Sequence, residues 1–113
     1  MNLSDFQKQL LVALVRSRLD GGKLFRSYDE LSGLVTLKPQ GADGLAGSLD
    51  RLSQWMSDQS LPDVTTVIVP PENAERMRML PAQSIIDRYH GEMGVRAEAD
   101  RVRDFDWAGW LHG

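Results

Sequence analysis

Leu61-Pro62-Asp63-Val64-Thr65-Thr66-Val67-Ile68-Val69-Pro70-Pro71 is the stretch on which the reading of the fold turns. From Val64 to Val69 every side chain is β-branched, a composition that suits a pleated, half-buried surface. The Pro70-Pro71 pair stops the run, because proline cannot donate to a ladder. Its unbroken apolar end, Val67-Ile68-Val69, predicts burial on both faces. Beyond the prolines, Pro70–Glu75 reads as the tip of a hairpin, with Arg76–Leu80 returning in alternation as a second strand. A short helix is an equal reading of the same residues.

Upstream, three helices are expected. Ser4–Leu19 begins on a capping serine, carries Asp5 at its positive end and Arg16 and Arg18 at its negative end, and repeats Phe6, Leu10, Leu14 and Val15 at helical spacing. Asp20-Gly21-Gly22 supplies the stop, and Lys23–Arg26 is a very short strand or an approach to the next helix. Ser27-Tyr28-Asp29-Glu30 has the capping-box pattern that opens a short helix over Tyr28–Leu34, with Leu31 and Leu34 as its buried face. Pro39 then biases Lys38 away from helical geometry. After a glycine-rich turn, Asp43–Asp58 is the clearest helix of the chain. Asp43 is its candidate cap, and Leu45, Leu49, Leu52 and Met56 mark one face.

Downstream of Pro81, Gln83–Tyr89 and Val95–Arg103 read as helices separated by Gly91 and Gly94. The chain closes on Asp104-Phe105-Asp106-Trp107-Ala108-Gly109-Trp110-Leu111. The order helix, short extended piece, helix, helix, strand, return strand is that of a winged helix. The expected class is therefore α+β: three helices with a small antiparallel β-hairpin and a helical C-terminal extension. Residues 1–113 read as one domain, with the core in 1–80 and the extension in 81–113.

Composition narrows the chemistry. The chain has 113 residues, no Cys and two His, with a net charge of −3. Lack of Cys removes disulfides, thiolate nucleophiles and Cys-containing zinc sites. His90 and His112 share no ligand spacing with each other or with a third His, so neither metal nor cofactor is expected. No serine has a nucleophile-elbow context, and Asp100, Asp104 and Asp106 read as a solvated face. Gly41–Gly47 lacks the Lys-Ser/Thr ending of a phosphate loop and reads as a helix-entry turn. The expectation is a protein that is not an enzyme. The Met1–Phe6 start has no signal-peptide layout and no segment is long enough to span a bilayer, so a cytoplasmic, membrane-free protein is expected.

Charge is unevenly spread. Residues 1–26 hold five basic and two acidic side chains, while the rest of the chain holds eight basic and fourteen acidic. The exposed positions expected on the third helix are Asp43, Ser48, Asp50, Arg51, Gln54 and Asp58, one cation among three acids. Such a face is repelled by phosphate, which disfavours nucleic acid and favours a protein partner. Two surfaces are the candidate contacts. The first is the third helix with its hairpin, through Asp50, Arg51, Gln54, Arg76 and Arg78. The second is the aromatic C-terminus, through Trp107 and Trp110, which either packs on the core as a latch or anchors a partner. Asp104 and Asp106 beside it would suit a basic partner surface.

The run Ser27-Tyr28-Asp29-Glu30-Leu31, then Gly44, Leu49, Leu61-Pro62 and Thr66–Val69, resembles small winged-helix-like bacterial and phage proteins of uncertain function. Phe105-Asp106-Trp107 is similar to the aromatic-Asp-Trp close of the same group. The Tyr, Leu and Gly positions also look like the DNA-binding part of alkyltransferase-like proteins. That family's Pro-Cys-His-Arg site should follow the strand, and here Pro70-Pro71-Glu72 follows instead, so the alkyl-acceptor role does not carry over. The expectation is a non-catalytic protein-binding module that occludes its partner, for which a phage or mobile-element inhibitor of the anti-CRISPR kind is one form. The competing expectation is a winged-helix DNA-binding transcriptional regulator using Lys8, Arg16, Arg18, Lys23 and Arg26 with Arg76 and Arg78. The sequence leaves oligomeric state open.

Overall fold

The first helix forms because both of its ends are satisfied. In the computed structural model, which describes residues 3–20, 23–38 and 44–112, α1 runs over Asp5–Leu19. Ser4 Oγ accepts from the Gln7 amide at 3.1 Å and the Gln7 side chain accepts from the Ser4 amide at 2.9 Å, a reciprocal cap. Phe6, Leu10, Leu14 and Val15 are all buried, as their spacing predicts. Each such side chain contributes roughly 1.5–3 kcal/mol by leaving water.

Ser27 opens the second helix as its capping box predicts. Its hydroxyl accepts from the Glu30 amide, and Glu30 accepts from the Ser27 amide. The resulting α2, Tyr28–Ser32, ends at Gly33, two residues short of expectation. Leu31 is fully buried, but Leu34 lies past the helix end and is 49% exposed, so it is not part of the buried face. α3, Gly44–Asp58, buries Leu49, Leu52 and Met56 as expected. Ser48, expected on its exposed face, is buried instead. The expected turn at Gly21-Gly22, the break at Pro39, most of the glycine-rich turn and the cap at Asp43 lie outside the described residues.

The decisive stretch departs from a strand. Val64–Val67 forms a 3₁₀ turn, and only Ile68–Val69 is extended, as β2. Asp63 captures the Thr65 amide at 3.0 Å, and the Thr66 hydroxyl donates to the Asp63 carbonyl at 2.8 Å. Short side chains hydrogen-bonding the nearby backbone outcompete the ladder that β-branching favours. β2 pairs in parallel with β1, Arg26–Ser27, with Arg26 opposite Ile68 and Ser27 opposite Val69.

No hairpin follows β2. Pro71 starts a helix instead, since its fixed φ suits a first helical position, and α4 spans Pro71–Glu75. Asn73 Nδ2 donates to the Leu80 and Pro81 carbonyls at 3.0 and 3.1 Å, and the Arg78 amide donates to the Asn73 carbonyl at 2.9 Å. These bonds fold Arg76–Leu80 back against α4 and leave it unable to pair as a strand. The winged-helix expectation is thereby overturned. Among the described residues there are seven α-helices and one parallel two-stranded sheet, in place of three helices and an antiparallel hairpin.

The remaining helices are α5 (Gln83–Arg88), α6 (Glu92–Asp104) and α7 (Trp107–His112). Gly91 separates α5 from α6, but Gly94 lies within the first turn of α6. A Cβ there would sit 1.9 Å from the Tyr89 carbonyl oxygen, so the approach of the two helices requires glycine. Ile85, Ile86, Val95, Ala99, Val102 and Trp107 join Leu10, Leu31, Leu52 and Ile68 in one buried cluster. The helices after Pro81 thus complete the core that the first 80 residues begin.

Candidate functional site

The densest group of buried polar side chains surrounds Asp63, which is wholly inaccessible. It sits between the end of α3 and the 3₁₀ turn. Asp63 Oδ1 accepts from the Thr65 amide at 3.0 Å and the Thr65 hydroxyl at 2.6 Å. Oδ2 accepts from the Tyr89 hydroxyl at 2.6 Å and from Ser53 Oγ. The Asp63 amide in turn donates to Glu98 Oε2 at 2.9 Å, and Glu98 Oε1 accepts from Arg101 at 2.8 Å. Each carboxylate oxygen of the cluster therefore has a protein donor. A buried, fully occupied cluster of this kind fixes the junction of α3, α5 and α6.

Both tyrosines of the chain report on this packing. Burial, reinforced by the negative charges of Glu72 and Asp50, pushes the Tyr28 hydroxyl up from 10.0 to about 12. Tyr89 moves in the same direction through burial and then its Asp63 partner. The folded state therefore holds protons that the unfolded chain releases near pH 10, and stability falls as pH rises through the interval up to about 12. In an alkaline titration, tyrosinate absorbance is expected to stay flat past pH 10 and to rise only with the loss of helical circular dichroism. A tyrosinate step near pH 10 with helicity intact would contradict the buried hydroxyls.

The first candidate contact surface is engaged within the molecule. Ser84 donates to Asp50 Oδ1 at 2.7 Å, and Arg88 donates to Gln54 Oε1 at 2.7 Å. Helix α5 thus bonds to the edge of the polar face of α3, where Asp50 is half-buried and Arg51 and Gln54 stay exposed. Arg78 pairs with Glu92 at 2.9 Å, which ties the loop after α4 to the start of α6. Arg76 is exposed beside it.

The two C-terminal tryptophans have different environments. Trp107 is 3% exposed and its indole donates to the Val102 carbonyl at 2.7 Å. Phe105 lies against it with ring centres 4.5 Å apart. Trp110 meets the Trp107 ring edge-on at 5.9 Å but is itself only half-buried. Its outer side lines an open groove of about 500 Å³ with Leu3, Lys8, Leu11 and Val12 from the α1 end and Trp55 from α3. Trp55 was not singled out from sequence. It directly precedes Met56 of the buried stripe, which puts it on the flank of that face, and this was the available signal.

No protein-family model, curated protein or solved structure matches this chain.

Proposed function

We propose that this chain is a non-catalytic protein-binding module that acts by occluding a partner, and that the groove between Trp55 and Trp110 is its contact surface. The observation that carries this reading is the pair of half-buried indoles opening on one apolar groove. Tryptophans that combine a large apolar area with a polar edge are the side chains most often found to dominate binding energy at interfaces. Val12, 36% exposed, extends the apolar lining onto the surface of α1. The main buried carboxylates favour the same reading, because Asp63 and Glu98 spend their oxygens on internal donors. A small inhibitor of the anti-CRISPR kind would use a module of this sort.

The test is affinity capture from the source cell with the full chain as bait, beside Trp110→Ala and Val12→Asp baits of verified circular dichroism. The reading predicts a stoichiometric protein partner that both substitutions abolish. Capture that survives both substitutions would overturn it. So would strong duplex DNA binding whose affinity falls steeply with salt.

A further inference from the structure

Among the described residues, Lys8 is the single charged residue lining the groove. It belongs to a stripe on α1 in which Lys8, Val12 and Arg16 follow at intervals of four, each exposed, so that an apolar side chain lies between two cations on one helix face. Neither Lys8 nor Arg16 has an ion-pair partner among the described residues. This stripe is part of the one net-basic segment of an acidic chain. Residues 1–26 carry +3 and the remainder −6. Lys8 therefore brings a cation to the apolar groove, and Arg16 continues the same face of α1 beyond it.

Resting on the protein-binding reading above, we propose that the occupant is an acidic amphipathic helix of a partner protein. Its apolar residues would enter between Trp55 and Trp110, and its carboxylates would lie along Lys8 and Arg16. A helix whose apolar face fills a groove lined by other helices is a recurrent mode of recognition. Opposite charge on the rim then sets orientation and partner choice more than affinity.

A second copy of this chain fits poorly. In a two-fold contact centred on Val12, antiparallel helices place Lys8 against the partner's Arg16. Parallel helices place each cation against its own counterpart. Both arrangements oppose like charges with no acid between them.

The experiment uses the full chain and two synthetic amphipathic helical peptides with one identical leucine- and phenylalanine-bearing face. One peptide carries glutamates on its polar face and the other lysines. Titration is followed by intrinsic tryptophan fluorescence, with Trp110→Phe as a control on the signal. The acidic peptide is expected to bind about tenfold more tightly than the basic one, with the preference shrinking as salt rises. Lys8→Glu combined with Arg16→Glu should reverse the order. Equal binding, a preference for the basic peptide, or a preference indifferent to the double reversal overturns the proposal. Absence of binding by both peptides also overturns it while leaving the protein-binding reading standing, since that reading is tested by capture of a whole partner. Self-association in sedimentation that Val12→Asp abolishes would assign the groove to a second copy and equally overturn the acidic-helix assignment.

Discussion

Asp63→Ala is expected to cost about 3–5 kcal/mol in urea unfolding, a large fraction of the roughly 5–15 kcal/mol by which a domain of this kind is stable. The residue has no contact with solvent, and its two oxygens accept from Thr65 twice, from Tyr89 and from Ser53. A hydrogen bond to a charged acceptor is worth about 1.5–3 kcal/mol, and such terms do not simply add within one network. Most of the loss comes from the donors left behind. Three hydroxyls and one amide would remain buried around a methyl group, while the backbone amide of residue 63 that donates to Glu98 would be kept. Asp63→Asn should fall between alanine and the parent, because the amide keeps one acceptor oxygen and the hydroxyls of Ser53 and Tyr89 can turn to receive its NH₂. A cost below about 1 kcal/mol for alanine would mean that water or rearrangement replaces the network, and that the 3₁₀ turn does not depend on it.

The same residue explains why one part of the fold was legible in the sequence and its centre was not. The caps of α1 and α2 follow from residues three apart, Ser4 with Gln7 and Ser27 with Glu30. Local chemistry of this kind is visible without the rest of the chain. The stripe Leu49, Leu52, Met56 is visible for the same reason. By contrast, Val64–Val67 has the composition of a strand and becomes a 3₁₀ turn because Asp63 is held by Ser53, Tyr89 and Glu98, which lie 10, 26 and 35 residues away. An Asp followed two residues later by Thr was the local hint of a turn. Pairing of Ile68 with Arg26 is likewise a long-range choice, made once α4 and the Asn73 side chain remove Arg76–Leu80 as a partner. Of the candidate site, Trp110 was legible as an aromatic near the end of the chain. Trp55 was not, since only the packing of α7 beside α1 and α3 brings the two indoles to one groove.

Trp107→Ala and Trp110→Ala should separate the two roles that the aromatic terminus suggested. Trp107 gives up its whole indole to the core, and its N–H satisfies the Val102 carbonyl at 2.7 Å near the end of α6. Truncation leaves a cavity, an unpaired buried carbonyl and two aromatic neighbours, Phe105 and Trp110, without the ring between them. A loss of about 3–5 kcal/mol is expected, seen as a large fall in urea midpoint with little change in slope. Trp110 surrenders only an edge-on contact and part of a half-exposed surface, so its truncation should cost about 1–2 kcal/mol and leave a folded protein. Trp107→Phe should recover part of the stability by refilling the space while still lacking the indole donor. The prediction fails if the two alanine variants lose equal stability, for then α7 is a single latch with no residue to spare for a partner. If they differ as expected, α7 anchors itself through Trp107 and presents Trp110. A six-residue helix can hold a rigid indole at the rim of a groove only because its first residue is already fixed in the core.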